Sequence, residues 1–212
     1  MNYEIFSKLI THGSRLFIIV ERELIVMKIL VVYHSLSGQT EKIAKAIYDG
    51  CGEAEDHAVT ILKLKEVKPD FLKDFDLVFI GAACHDSALT KKAIKFMHKL
   101  PVKPDYKVAG FYTHSSMMAD GTERNDAMFK QWAGMCTRNF KYFTKNKEWE
   151  YLGEFHCMGM PNKLIKGFIH RKIIPDKEEW QDYLKLLESK PPTEEDCNNA
   201  KKFAKEIINS MG

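Results

Sequence analysis

The stretch MKILVVYHSLSGQT, residues 27–40, decides the fold class of this chain. Its first half, from Ile29 to Tyr33, is a continuous run of apolar and β-branched residues, which is typical of a strand buried on both faces of a parallel sheet. A turn rich in serine follows, and from Thr40 onward apolar residues recur at helical spacing. The order of strand, turn and helix predicts the first unit of an alternating α/β fold.

The same alternation continues to the end of the chain. Four more strands are predicted at residues 59–64, 77–80, 108–112 and 151–157, the third strand of the series ending at Gly81. Helices are predicted at residues 40–49, 94–100, 126–142, 175–187 and 193–211. Residues 159–175 form a basic segment without clear periodicity. Five strands separated by helices predict a parallel sheet with right-handed crossovers and helices on both faces.

The sequence predicts one domain over residues 27–212. Residues 1–26 are interpreted either as an N-terminal appendage or as the product of an upstream start codon read too early, because Met27 begins a cleaner strand pattern. No apolar run approaches the roughly 18–20 residues that a bilayer span needs, so no membrane association is predicted. The net charge of +3 among 212 residues is too small to indicate nucleic acid binding.

The five cysteines are widely spaced and form no C-x-x-C motif. This pattern predicts neither a metal site nor a disulfide framework. The thiols are therefore interpreted as reduced, and the protein as cytoplasmic.

The turn after the first strand predicts a phosphate site. Hydroxyl side chains, a glycine and backbone amides at a helix N-terminus together form a cradle for a phosphate group, although a simple capping turn with Ser37 as N-cap has the same letters. No lysine precedes Thr40 and no G-x-G-x-x-G occurs, which excludes the nucleotide-binding P-loop and the dinucleotide fingerprint. The candidate residues are Ser35, Leu36, Ser37, Gly38, Gln39 and Thr40.

Residues 33–40 resemble the flavin mononucleotide (FMN) phosphate loop of the flavodoxins, with its S/T-x-S/T-G-x-T pattern. The resemblance implies a three-layer sandwich with a five-stranded parallel sheet in the order 2-1-3-4-5. It also implies that FMN is the cofactor and that the loops after the third and fourth strands embrace its ring. The residues implied in these loops are Ala82, Ala83, Cys84, His85, Thr113, His114 and Ser115.

The chain departs from the electron-carrier flavodoxins in two respects. Neither ring loop has a tryptophan or tyrosine at its tip, which leaves His85 and His114 as candidates for ring contact or catalysis, or as ordinary surface histidines. Residues 138–172 carry eight basic and three acidic side chains, whereas the carriers are strongly acidic. The sequence therefore favours an NAD(P)H-linked flavin oxidoreductase over a pure electron carrier, with NAD(P)H or a redox partner as electron donor. It leaves open whether the chain forms a homodimer.

Cys84 and His85 suggest a second class of function. A cysteine followed by histidine after a strand resembles the nucleophile turn of the class I amidotransferase-like and intracellular-protease-like families, which would make Cys84 the nucleophile of a hydrolase. Such elbows need a glycine two residues after the cysteine, and this chain has Asp86 there. The flavin interpretation is therefore preferred.

Overall fold

The computed structural model describes residues 7–12, 15–20, 26–54 and 57–211. Its main sheet has five parallel strands in the order β4-β3-β5-β7-β8. Counted from Lys28, this is the order 2-1-3-4-5 that the flavodoxin resemblance implies, and that prediction is confirmed. The parallel strands are β3 (Lys28–His34), β4 (Ala58–Lys63), β5 (Leu77–His85), β7 (Lys107–His114) and β8 (Tyr151–Met158).

Three short strands lie outside this parallel set. β1 (Ser7–His12) and β2 (Arg15–Val20) pair antiparallel with each other, and β6 (Ala88–Leu89) pairs antiparallel with β5. β6 makes the main sheet six-stranded, which the sequence did not predict.

Seven α-helices connect the strands or follow them. They are α1 (Gln39–Gly52), α2 (Lys91–Lys99), α3 (Glu123–Trp132), α4 (Gly134–Lys147), α5 (Lys163–Phe168), α6 (Lys177–Glu188) and α7 (Glu194–Asn209). Two 3₁₀ turns, Leu64–Glu66 and Pro69–Asp74, lie between β4 and β5, and a π-helical turn, Ile169–Ile173, follows α5. The described residues contain no helix long and apolar enough to cross a membrane.

The interior strand β3 contributes side chains to two core layers, one on each face of the sheet. Ile29 and Val31 face α1 and α7, whereas Leu30 and Val32 face α2 and α4. All four side chains are fully buried. Alternation along a strand sends successive side chains to opposite faces, so a run that is apolar throughout requires helices on both sides.

The two helices of the first layer approach each other closely at Gly50. A Cβ atom at this position would lie 2.6 Å from the carbonyl oxygen of Lys201 in α7. The packing of α1 against α7 therefore depends on the absence of a side chain at residue 50.

Three sequence-based boundaries were wrong. β5 does not end at Gly81 but continues to His85, because Ala82 and Ala83 pair with β7 and the last two residues pair with β6. The helix predicted at residues 126–142 is two helices that meet at the buried residue Ala133. The segment 159–175, which showed no periodicity, contains α5 and the π-helical turn.

The predicted independence of residues 27–212 leads to a deletion experiment. A chain that starts at Met27 should unfold with the same free energy as the full chain, because β1 and β2 pair with each other and every described core residue of the two layers lies at residue 27 or later. Urea denaturation followed by circular dichroism measures this. A chain that starts at Val32 serves as the control: it loses half of β3 and should not fold. A large loss of stability on removal of residues 1–26 would contradict the prediction.

Candidate functional site

The candidate site lies at the carboxyl edge of the parallel sheet, where the loops after β3, β5, β7 and β8 meet. The loop after β3 turns sharply into α1. Gly38 adopts a left-handed conformation with φ of 84°, and its amide donates to the Ser35 Oγ atom at 3.1 Å. This turn points the N-terminus of α1 toward the exposed side chain of Ser37.

The N-terminus of α1 has the properties of an anion site. In the described part of the chain, no side chain caps the helix at Gly38, so the first amides of α1 remain available to a ligand. The positive end of the helix dipole also favours negative charge at this position. The ammonium of Lys42 in the first turn donates to the carbonyl of Pro192. Backbone amides and hydroxyls therefore dominate the site.

Residues at or after the ends of three strands meet behind this turn: Thr40 after β3, Thr113 in β7 and Gly159 after β8. Thr40 and Thr113 are both buried and share a hydrogen bond of 2.8 Å between their Oγ1 atoms. Gly159, after β8, would place a Cβ atom 3.5 Å from Thr113 Cβ and 3.6 Å from Gln39 Cβ. The loop after β8 therefore closes against the turn. Sequence reasoning did not identify Gly159, whose only signal was a glycine directly after the fifth predicted strand.

The loop predicted after the third parallel strand is a β-hairpin. β5 runs through Ala82, Ala83 and Cys84 to His85, and the chain returns through β6. Asp86 and Ser87 at the tip have φ values of 50° and 63°, as in a type I′ turn. Ala82 is buried in the core and paired with β3 and β7 rather than exposed in a loop.

His34, which the sequence analysis did not select, lies between this hairpin and the turn of residues 35–40. His34 ends β3, and its Nδ1 atom lies 3.1 Å from the Thr90 Oγ1 atom. Burial lowers its pKa, and the nearby charges of Lys92 and His85 lower it further. Its position directly before Ser35 was the available signal.

His114 is not a surface residue at a loop tip. It ends β7 with only 2% of its surface exposed, and its Nδ1 atom lies 3.2 Å from the Ser116 Oγ atom. The ring of Phe129 meets it edge-on at 5.4 Å. The surface interpretation is wrong for His114, because the crossover through α3 covers it. His85, by contrast, is exposed.

His114 belongs to a buried group of rings with His156 of β8. The His156 ring stacks on Tyr112 at 5.0 Å and on Phe129 at 4.8 Å, and it lies 5.6 Å from His114. Burial, with His156 nearby, lowers the pKa of His114 to about 3. Burial also lowers the pKa of His156, against the opposing charge of Glu154. Both rings are therefore neutral at pH 7.

The surroundings of Cys84 do not support a nucleophile. Its thiol donates to the carbonyl oxygen of Trp132 at 3.4 Å. Cys136 lies beside it, and burial raises the pKa of Cys136, with the Cys84 thiol contributing. Cys84 lies in a strand of a hairpin rather than on a strained elbow. Within the described ranges, no group of three or more histidine, cysteine or acidic residues is arranged to hold a metal ion.

The geometry of the turn and the sheet order agree with a comparison to known families. Residues 30–205 match the family described as a flavodoxin domain. The chain belongs to the flavodoxin family. It is 28% identical over 187 residues to an uncharacterized protein of Methanocaldococcus jannaschii, covering 86% of this chain and 99% of that protein. It is 27% identical over 186 residues to the flavodoxin-like domain-containing protein BilS of Clostridioides difficile, covering 86% and 97% respectively.

Solved flavodoxin structures share the fold at low sequence identity. A short-chain flavodoxin associated with a non-canonical PDU bacterial microcompartment superposes with a TM-score of 0.59 at 14% identity, covering 88% of this chain and all of that one. Flavodoxin 1 from Bacillus cereus gives a TM-score of 0.55 at 15% identity, covering 86% and 97%. These similarities establish the architecture of this flavodoxin-family protein.

The buried His114 predicts a loss of stability in acid. Above pH 6.5 the ring is neutral in both states and contributes no pH dependence. As the pH falls from 6.5 toward about 3, the unfolded chain binds a proton that the folded chain does not. The free energy of unfolding therefore falls by up to about 1.4 kcal/mol per pH unit. His114→Asn should therefore reduce the slope of unfolding free energy against pH by about that amount, measured by urea denaturation between about pH 6 and pH 4. Equal slopes would show that His114 is solvated in the folded protein.

Proposed function

We propose that this flavodoxin-family protein binds FMN, with the phosphate on the turn of residues 35–40, and that it acts as a two-electron flavin oxidoreductase supplied by NAD(P)H. The observation that carries the proposal is the uncapped N-terminus of α1, which directly follows a buried strand. A phosphate monoester at this position would accept hydrogen bonds from the helix amides and from the hydroxyl of Ser37.

The residues present fit this cofactor. The site offers neutral donors to the phosphate, and Gly159 leaves room between Gln39 and Thr113 that a larger residue would fill. In the proposal, the flavin ring lies between the β5–β6 hairpin and the end of β7, where Ser115 is more exposed than the buried Thr113 and His114. His85 is exposed there, and His34 is held by Thr90.

The absence of glycine from the tip of the β5–β6 hairpin supports two-electron chemistry. The hairpin that would border the ring contains no glycine, so its peptide groups are less free to turn toward a changing flavin. Gly81 lies within β5, where Phe111 covers it, and does not belong to the hairpin tip. When bound, FMN would accept the hydride with its electron pair from the nicotinamide, together with one proton from solvent.

The role of the turn is tested by changing the charge at one position. Ser37→Glu should weaken FMN binding by at least about 100-fold, because a carboxylate about 4 Å from the phosphate costs several kcal/mol even at an effective dielectric constant of 20. Quenching of FMN fluorescence during titration with the protein measures the affinity. Ser37→Gln is the matched control, since it has the same size without the charge, and should retain most of the binding. Absence of quenching with the unmodified protein would overturn the FMN proposal.

The type of electron transfer is tested on the FMN-loaded protein. NAD(P)H should bleach the visible flavin absorbance in a single step and support quinone reduction with repeated turnover. A carrier would instead accumulate a long-wavelength absorbing species during stepwise reduction with dithionite, and would turn over slowly with NAD(P)H. That second outcome would contradict the oxidoreductase proposal while leaving FMN binding intact.

A further inference from the structure

The helix after β8 exposes a contiguous apolar surface. Leu164, Ile165 and Phe168 of α5 are 83%, 44% and 41% exposed. Their spacing of i, i+1 and i+4 places them on one side of the helix. We call these three side chains the α5 patch. Single exposed apolar residues are common, but a contiguous group of this size indicates an interaction site.

The α5 patch stands on a well-packed base. The Asn162 side chain caps α5 by accepting from the amide of Ile165 at 2.9 Å. Directly beyond the patch, Ile169 and Ile174 are only 3% and 1% exposed. Their core cluster also includes Tyr183 of α6. The exposure of the patch is therefore a property of a folded segment with its own buried core.

The α5 patch lies within a positively charged segment of the chain, residues 159–175. Residues 159–175 contain four cationic side chains and no aspartate or glutamate. Among the ion pairs of the described residues, none includes any of these four cations. The cations are Lys163, Lys166, Arg171 and Lys172. An apolar centre with an unpaired basic rim is complementary to a surface that has carboxylates around an apolar centre.

The α5 patch adjoins the candidate site. The Phe168 ring meets the Trp132 ring edge-on at 5.9 Å. The carbonyl oxygen of Trp132 in turn accepts the hydrogen bond from Cys84 in the β5–β6 hairpin. A protein bound to the patch would therefore lie next to the hairpin that borders the flavin in the proposed function.

We propose that the α5 patch is the docking surface for an acidic one-electron redox protein that exchanges electrons with the bound flavin: two reduced partner molecules are each oxidised by one electron, and the flavin would take up both electrons with two protons from solvent. The electron exchange rests on the proposed function, whereas the docking itself does not. A second copy of this chain fits the patch poorly, because a two-fold interface would bring Lys163 and Lys166 against the same lysines of the other copy. A membrane surface also fits poorly, because α5 has only six residues and three exposed apolar side chains.

The first experiment measures electron transfer. The full FMN-loaded chain is mixed in a stopped-flow instrument with a dithionite-reduced, acidic [2Fe–2S] ferredoxin as the probe. The rate of flavin bleaching should fall steeply as ionic strength rises, because salt screens the attraction between the two surfaces. Lys163→Glu combined with Lys166→Glu should lower the rate at low salt at least about tenfold.

Matched controls separate the α5 patch from net charge and from cofactor binding. Lys99→Glu combined with Lys202→Glu changes the total charge equally, on α2 and α7, and should leave the rate within about twofold. Leu164→Ser combined with Phe168→Ser should weaken binding of the oxidised ferredoxin about tenfold without changing the salt dependence, measured by calorimetry. FMN fluorescence quenching should be unchanged in all these variants.

The possible outcomes are distinguishable. Calorimetry with the FMN-free chain tests docking even if FMN does not bind, so failure of the proposed function does not hide the result. Equal rates for the two double lysine variants, or no salt-dependent binding of the ferredoxin, would overturn the docking proposal. Sedimentation with phosphatidylglycerol vesicles that depends on Leu164 and Phe168, without ferredoxin binding, would overturn it in favour of a lipid surface.

Discussion

Because residues 29–32 are all fully buried, β3 must have a helical layer on each of its two faces. Each such side chain contributes roughly 1.5–3 kcal/mol when it leaves water, so a layout that exposed either face would not be stable. Helices cover both faces of a sheet when they connect its strands as crossovers, and strands connected in this way are parallel. The positions of α1 and α7 on one face, and of α2 and α4 on the other, satisfy this constraint.

The same constraint creates the candidate site. Parallel strands place all their carboxyl ends at one edge, where the turn after β3 meets the loops after β7 and β8. The bond between Thr40 and Thr113 joins two of these ends, and Gly159 brings the third end against them. The fold therefore places the uncapped N-terminus of α1 at this edge, where the helix amides would supply the donors for the proposed phosphate without a lysine.

The chain differs from a strongly acidic electron carrier in what surrounds that edge. Two neutral, buried histidines lie beneath it, and a separate cluster packs α6 and the π-helical turn into a small core of its own. The α5 patch and the basic side chains that flank it lie directly before the π-helical turn of this cluster in the chain. Since charge steers the encounter of redox proteins, a basic face selects acidic partners, opposite to those that an acidic carrier would dock.

The amino-acid sequence by itself determined the fold class, the strand order through its resemblance to flavodoxins, and the turn that connects the first parallel strand to α1. These are local patterns: an apolar run, a serine-rich turn and apolar residues at helical spacing. The residues that the resemblance implies for FMN remain predictions.

Only the tertiary structure decided which side chains face the edge and which lie in the core. The sequence could not show that β5 continues beyond Gly81 by pairing with β7 and β6, or that Phe129 packs on His114, because both depend on residues from other elements. Nor could it show that α5 leaves Leu164 exposed. Burial is set by contacts between distant parts of the chain, whereas a turn or a cap is set by residues that are neighbours in sequence.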